Sequence, residues 1–105
     1  MIQVTVTIGR NVGDSPMAED RWCDFRASID DALMDSFKID SLESIESHNG
    51  TGEWQGVRED SLKASVLFDS LDALGVQQLR ERLAIIRDEF EQDAIALCIG
   101  DSELV

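Results

Sequence analysis

Four aspartates on one stretch of the chain have the spacing that points most clearly to a function. Asp20, Asp24, Asp31 and Asp35 follow one another at steps of four, seven and four residues. On a helix that turns about 100° per residue, these carboxylates lie along one stripe. Carboxylates about 6 Å apart along a helix axis can resemble the phosphates of a nucleic-acid strand. We therefore predict a docking face for a basic partner protein; the alternative is a solvated face that keeps the protein soluble.

Trp54 is a second candidate for contact with a partner. It lies in a stretch rich in glycine and charge, between Gly52 and Gly56. Tryptophan is enriched at the energetic centres of protein interfaces, so we group Trp54 with the four aspartates as a partner-binding residue. The alternative is that its ring covers one end of the hydrophobic core.

The remaining side chains of catalytic type do not combine into a known site. His48 is the single histidine, and Glu46 would share its face if both lie on a strand. Neighbouring acids such as Asp30-Asp31 and Glu59-Asp60 lack the alternating pattern of a calcium loop, and zinc needs several Cys or His ligands. No serine lies in a G-x-S-x-G setting. We therefore predict no catalytic residue, no metal and no cofactor.

The segment Gly9-Arg10-Asn11-Val12-Gly13 lies between a predicted strand and a predicted helix, where backbone N–H groups can bind phosphate. It matches neither of the glycine patterns that bind nucleotide phosphates. We interpret its glycines as turn residues, and Arg10 as either an anion contact or a solvated charge.

The charge balance restricts the classes of partner. Twenty-two acidic residues face nine basic ones, and the formal net charge is -13. Such a protein repels nucleic acid and anionic membrane surfaces, and direct nucleic-acid binding needs clustered Lys and Arg, which are missing. We therefore expect no direct nucleic-acid or membrane contact, and a basic protein as partner.

Cellular location follows from the cysteines and the apolar runs. Cys23 and Cys98 are too few for a disulfide scaffold, and we expect reduced, partly buried thiols. No apolar run has the length of a membrane span, and Met1–Arg10 lacks the features of a secretory signal. These features predict a cytoplasmic protein.

Periodicity predicts one domain of 105 residues with four strands and two helices. A strand over residues 2–8 alternates apolar and polar side chains. A first helix is predicted to begin with Ser15 as N-cap and Pro16 as its first residue, and to end near Phe37. The later elements are a second strand near residues 42–45, a third strand over 62–68, a second helix and a last strand over 94–99. The second helix is predicted to start within residues 70–72 and to end near residue 90. This order predicts an α+β, ferredoxin-like β-α-β-β-α-β sandwich, with both helices on one face of a four-stranded antiparallel sheet.

Residues 49–60 form an insertion between the second and third strands, either a hairpin arm or an ordered loop. Asn49-Gly50-Thr51-Gly52 carries a strong turn signal. The segment is also one of three candidates to cover the sheet face that the helices leave open. A second copy of the chain, in a homodimer, and a bound ligand are the others. That face is predicted to be small and semi-apolar, and to carry Thr5, Thr7, Ser65, Leu67, Ala96 and Cys98.

Several short stretches resemble small proteins of actinobacteria and their phages that carry a domain-of-unknown-function label. The signature is Gly52-Glu53-Trp54-Gln55 followed by Arg58-Glu59-Asp60-Ser61. The opening from Gly9 to Arg26 and the ending from Gln92 to Leu97 resemble the same proteins. The resemblance implies a ferredoxin-like fold and a phage context, which would place the protein in the host cytoplasm. It transfers no catalytic residue. By type, the chain is similar to phage-encoded anti-defence inhibitors of the anti-CRISPR or anti-restriction kind.

These features together favour a non-enzymatic binding protein. We expect it to dock its carboxylates on a basic, nucleic-acid-handling host complex and to inhibit that complex. The alternative is a small dimeric enzyme or small-molecule binder that uses the open face of the sheet. A structural or assembly subunit is a third interpretation.

Overall fold

The computed structural model describes residues 1–54 and 56–103, without the side chain of Trp54. Two long helices lie on one face of a four-stranded sheet, and a two-stranded ribbon joins the first strand to the first helix. The elements are β1 (Ile2–Gly9), β2 (Asn11–Val12), β3 (Ser15–Pro16), α1 (Glu19–Phe37), a single 3-10 turn (Leu42–Ser44), β4 (Glu46–Trp54), β5 (Val57–Phe68), α2 (Ala73–Glu89) and β6 (Ala96–Asp101).

The main sheet has the strand order β4-β5-β1-β6, and every pairing in it is antiparallel. With one helix after β1 and another after β5, this is the predicted ferredoxin-like sandwich. The fold prediction is therefore confirmed. The central strand β1 pairs with β5 from Ile2 opposite Phe68 to Gly9 opposite Ser61, and with β6 on its other side.

The hydrophobic core lies between the helices and the sheet, as the alternation in β1 predicted. Val4, Val6 and Ile8 of β1 are almost fully buried. The ring of Phe25 in α1 stacks on Phe90 with centroids 4.7 Å apart. The other large core side chains are Trp22, Ile29 and Leu33 of α1 and Leu79, Leu83 and Ile86 of α2.

The predicted start of the first helix is wrong. Ser15 and Pro16 form β3, which pairs with β2 around Gly13, where φ is +60°. The N–H of Met17 then donates to the Arg10 carbonyl, which keeps the chain extended, and α1 begins only at Glu19. The Ser-Pro pair therefore serves a tight ribbon instead of a helix cap.

The predicted turn at residues 49–52 is also wrong. Asn49 lies opposite Leu62 and Gly52 lies opposite Glu59, so β4 continues through these residues as a regular partner of β5. The strands instead reverse after Trp54, which pairs with Val57, and Gly56 has a φ of +81°. Residues 49–54 and 57–60 therefore extend the sheet as the two strands of a long hairpin and do not fold over its open face.

Tight packing of the helices explains one glycine. Asp72 caps α2 by accepting the N–H of Leu74 at 3.0 Å. Gly75, in the first turn, packs so closely on the end of α1 that an added Cβ would lie 2.8 Å from the Ser36 carbonyl oxygen. Glycine here permits contact between the two helices, although it weakens the first turn of α2.

Candidate functional site

A cleft of about 370 Å³ opens on the face of the sheet that the helices leave free. It lies where β1 ends, between the β4–β5 hairpin and the connection from α2 to β6. The strands supply a row of side chains in register, because Thr7 lies opposite Lys63 and Gly9 lies opposite Ser61. The connection contributes Glu91, Gln92 and Asp93 to the rim.

The carboxylate of Glu59 is the most firmly placed charged group of this cleft. Its Oε2 accepts the backbone N–H of Asn11 at 2.9 Å. A Cβ added to Gly9 would lie 2.4 Å from the carboxyl carbon of Glu59, so the carboxylate lies directly on the Gly9 backbone. The Glu59 residue is half-buried. Its charged end therefore has a defined position on the cleft wall.

Hydrogen bonds hold the backbone beneath that carboxylate. The Gln92 amide nitrogen donates to the carbonyls of Asn11 and Phe90, at 3.1 and 3.3 Å. The side-chain amide nitrogen of Asn11 donates to the Arg58 carbonyl at 3.4 Å. The corner after β1, the hairpin and the α2–β6 connection are therefore tied together at one point, and that point supports the cleft.

Arg10 is an internal clamp beside this corner. Its Nε donates to the Met17 carbonyl at 2.9 Å, and its guanidinium forms ion pairs with Glu19 at 3.2 Å and Asp60 at 3.7 Å. Only 20% of its side chain is exposed. From the sequence, Arg10 was interpreted as either an anion contact or a solvated charge. In the structure it has neither role, because its guanidinium is held by groups of the chain itself.

The electrostatic character of the cleft is acidic. Among the described residues, its lining has four carboxylates and one cation, and the whole chain has a net charge of -13. The carboxylates belong to Glu53, Glu59, Glu91 and Asp93, and the cation is Lys63. A cleft with an excess of one sign attracts ligands of the opposite sign and repels phosphates.

Glu59 was not predicted as a site residue; it was considered as half of an acidic pair and as part of the Arg58-Glu59-Asp60-Ser61 signature. The available signal was the strand alternation: Glu59, Ser61 and Lys63 share one face once the third strand is extended back to Val57. Gly9 and Asn11 could not have been linked to Glu59, because about fifty residues separate them along the chain.

The four predicted aspartates lie together on the outer face of α1. Asp20, Asp24, Asp31 and Asp35 are all exposed, opposite the buried stripe of the helix and away from the sheet. Asp35 forms an ion pair with Arg82 of α2 at 2.5 Å. Within residues 1–54 and 56–103, the other three carboxylates have no ion-pair partner. The ring of Trp54, the fifth predicted residue, lies outside the described part of the chain.

Asp30 lies beside the stripe but points toward the protein. Burial raises the pKa of its carboxyl, a nearby Arg26 guanidinium lowers it, and the Asp31 carboxylate raises it. The Oδ1 atom of Asp30 is buried without a hydrogen-bond partner in the described residues. This carboxyl is therefore easier to protonate in the folded chain than in water.

Other candidate groups stay apart. Nε2 of His48 lies 3.8 Å from a Glu46 carboxylate oxygen, but both side chains are more than two-thirds exposed. Cys23 and Cys98 are also exposed, on α1 and on the open sheet face, so their predicted partial burial is wrong. Across the described ranges, no three His, Cys, Asp or Glu side chains are grouped as a metal site requires.

The open face of the sheet carries the predicted Thr5, Ser65 and Leu67, but Glu59 and Lys63 lie on it as well, so it is more charged than the small, semi-apolar face that was predicted. The Thr5 and Ser65 hydroxyls form a hydrogen bond at 3.0 Å, and Leu67 is 42% exposed. A second copy of the chain over this face stays a prediction. In the described part of the chain, neither helix is long and apolar enough to cross a membrane.

Comparisons with known proteins give a likeness in structure alone. No family model matches this chain, and no curated protein matches it. One similar solved structure is a phage SAM lyase in complex with S-methyl-5'-thioadenosine, with a TM-score of 0.62 and 18% identity over 95% of this chain and 80% of that one. Another is a phage SAM lyase in its apo state, with a TM-score of 0.54 and 20% identity over 94% of this chain and 78% of that one. At these identities, the chain shares the fold of a phage SAM lyase.

Proposed function

We propose that this chain is a small-molecule-binding protein whose ligand occupies the open-face cleft and carries positive charge near Glu59. The observation that carries the proposal is the Glu59 carboxylate, held by the Asn11 N–H and placed against Gly9 within about 370 Å³ of open space. Clefts of this volume are typical of metabolite sites. A carboxylate that is already fixed in place needs little reorganisation when a cation arrives.

The ligand class that we propose is a sulfonium nucleoside such as S-adenosylmethionine (SAM). The fold shared with a phage SAM lyase described with S-methyl-5'-thioadenosine supports this class. The charge of the cleft supports it independently, because SAM has a positive sulfur and a positive amine and no phosphate. Lys63, the one cation among the described residues of the lining, is available for the ligand's own carboxylate.

Cleavage of the bound ligand is the activity to test. In the step to test, an oxygen of the ligand's own carboxylate forms a bond to the carbon attached to sulfur as the carbon–sulfur bond breaks. The bonding electron pair stays on sulfur, which becomes the neutral thioether of S-methyl-5'-thioadenosine, and the amino-acid fragment leaves as a cyclic ester. A fixed carboxylate near the sulfur favours the charged form, so SAM is expected to bind more tightly than the thioether. Detection of the thioether as a product would replace the expectation of a non-enzymatic protein with that of an enzyme.

Calorimetric titration of the purified chain tests the proposal. SAM is compared with S-adenosylhomocysteine, which lacks the methyl group and the positive charge on sulfur but keeps the positive amine, and with ATP, which adds phosphates. We expect SAM to bind about tenfold more tightly than S-adenosylhomocysteine, since an ion pair in a half-open cleft contributes about 1–2 kcal/mol. ATP is expected not to bind.

Variants assign the effect to the carboxylate. Glu59→Gln keeps the shape of the side chain and is expected to remove the preference for SAM, whereas Glu81→Gln on the exposed part of α2 controls for total charge. Equal SAM affinity in wild type and Glu59→Gln, or equal affinity for SAM and S-adenosylhomocysteine, would contradict the proposal. Chromatography of the same mixtures measures release of the thioether.

The second candidate function is the predicted docking of carboxylates on a basic host protein, as an inhibitor of an anti-CRISPR or anti-restriction kind. It is favoured by the exposure of Asp20, Asp24 and Asp31 on one face of α1, without an ion-pair partner in the described residues. This face lies on the helix side of the molecule, and the cleft lies on the opposite side of the sheet. The two functions therefore need different surfaces and can be tested separately.

A pull-down from bacterial lysate at low and moderate salt tests the docking candidate. The triple variant Asp20→Asn, Asp24→Asn and Asp31→Asn is compared with Glu43→Gln, Glu81→Gln and Glu103→Gln, which remove the same charge elsewhere. Loss of a retained basic protein in the first variant only, and weaker retention at higher salt, would support docking through this face. Equal retention by both variants would contradict it.

A further inference from the structure

The edge of the sheet at β6 differs from the acidic remainder of the surface. β6 pairs with β1 on one side, and no described strand pairs with its other side. Natural edge strands are commonly protected by charge, proline or bulges. Here residues 96–100 are Ala-Leu-Cys-Ile-Gly, with no charge and no proline, and the one charged residue of β6 is Asp101 at its end. The edge is therefore open to pairing with another strand.

A groove of about 380 Å³ runs beside this edge, between β6 and α2. Leu97 and Ile99 of β6 and Leu83 of α2 give it an apolar floor, and 36% of Ile99 is exposed. Arg80 and Arg87 lie along its helix wall. A strand added at the edge would place alternate side chains in this groove.

The two arginines determine the charge that a segment bound in this groove must carry. Arg80 has no ion pair or side-chain hydrogen bond within the described residues, and Arg87 contacts only its chain neighbour Asp88, at 3.1 Å. Arg82, by contrast, faces α1 and pairs with Asp35. Two cations beside an apolar groove, on a chain with a net charge of -13, are complementary to carboxylates.

A second copy of this chain does not satisfy that charge. Edge-to-edge pairing of two β6 strands about a two-fold axis brings α2 of one copy beside α2 of the other. The two arginines of one copy, Arg80 and Arg87, would then lie beside the two arginines of the other copy, and like charges across an interface are unfavourable.

We propose that the β6 edge and its groove bind an extended acidic segment of another polypeptide by strand addition. Arg80 and Arg87 are seven residues apart, or about 10 Å along the helix axis. Residues i and i+4 of an added strand are about 13 Å apart on one face, within reach of the two flexible arginine side chains. The middle residue, i+2, faces the apolar floor. The expected recognition pattern is acid-x-apolar-x-acid, where the apolar residue is Val, Ile or Leu.

Display selection with a library of random twelve-residue peptides on the full chain tests this proposal. We expect enriched peptides to share the pattern. Fluorescence anisotropy should then show at least a tenfold loss of affinity in the Arg80→Glu and Arg87→Glu double variant. The charge-matched control, Lys38→Glu and Arg58→Glu, changes exposed residues away from the groove and should lose less than twofold.

Hydrogen exchange separates strand addition from simple charge attraction. An added strand gives partners to the outward N–H groups of residues 96–101, so the bound peptide should slow exchange there. The proposal is overturned if no peptide is enriched, if the enriched peptides lack paired acids, if both double variants lose affinity equally, or if exchange in β6 is unchanged. A circular dichroism spectrum confirms that each variant is folded.

Discussion

Replacing Gly9 by alanine tests the arrangement that places the Glu59 carboxylate. A Cβ at this position would lie 2.4 Å from the carboxyl carbon of Glu59. The carboxylate is the end of a flexible side chain, so it is expected to move away instead of straining the backbone. Moving it breaks the 2.9 Å hydrogen bond from the Asn11 N–H. The variant should therefore fold and lose its preference for SAM.

The expected change in stability is small and has two opposing parts. The lost hydrogen bond is charge-assisted but half-exposed, and we expect it to cost about 1 kcal/mol. Alanine restricts the unfolded chain and contributes about 0.4–1 kcal/mol in favour of folding, because the φ of Gly9 lies outside the left-handed region. The net change in the free energy of unfolding should therefore be near zero.

A double-mutant cycle separates these two parts. In a Glu59→Ala background there is no carboxylate to displace, so Gly9→Ala should stabilise the protein by about 0.4–1 kcal/mol. The coupling energy between the two positions should then be about 1 kcal/mol by urea denaturation. Equal effects of Gly9→Ala in the two backgrounds would refute the contact between Gly9 and Glu59 as the cause.

Further predictions concern the helices and the assembly. Gly75→Ala should lower the free energy of unfolding by about 1–3 kcal/mol, because the added Cβ would clash with the Ser36 carbonyl oxygen, which is backbone and cannot move aside as a side chain can. An unchanged melting temperature would contradict this. Asp30→Asn should raise the melting temperature at pH 7, because burial raises the pKa of the Asp30 carboxyl and the folded chain is therefore destabilised when that carboxyl is charged. Below about pH 3.9 the carboxyl is protonated in both the folded and the unfolded chain, so the gain in melting temperature should vanish there. A gain that stays constant with pH would contradict this. Asp35→Asn should cost at most about 1 kcal/mol, because its partner Arg82 and its own carboxylate are partly exposed, and the cost should shrink with salt. Light scattering should give twice the mass of one chain if the predicted homodimer forms, and the mass of one chain if it does not.

The fold could be predicted from the sequence because its layers follow apolar periods. The alternation of Val4, Val6 and Ile8 marks the central strand, and the stripe through Phe25 and Ile29 marks a helix that packs on it. Each pattern is local and strong. Together they are enough to define a four-stranded sheet with two helices on one face.

Local turn chemistry was a poorer guide, because tertiary pairing decided between competing signals. Asn49-Gly50 has a strong hairpin pattern, yet the partner residues of β5 continue past it and the strand does not turn there. Ser15-Pro16 has a strong helix-start pattern, yet the ribbon around Gly13 holds it extended. In both places the deciding contact comes from another segment.

A ligand on the open face was one alternative from the sequence, but the residues of the cleft could not be predicted, for the same reason. Its central contact joins Gly9 and Asn11 to Glu59, and only the register between β1 and β5 brings them together. The aspartates of α1, by contrast, follow one helical period and were found directly. A single helix face is visible in a sequence, whereas a site assembled from three segments is not.

The measurement that tests the central claim most directly is the effect of SAM on the amide NMR spectrum of the ¹⁵N-labelled chain. Binding in the cleft predicts shifts at Gly9, Asn11, Glu59 and Lys63, with no change along the outer face of α1. Glu59→Gln should weaken these shifts, and the Glu81→Gln control should leave them intact. A spectrum that SAM leaves unchanged, or shifts confined to α1, would contradict the assignment of this cleft as the ligand site.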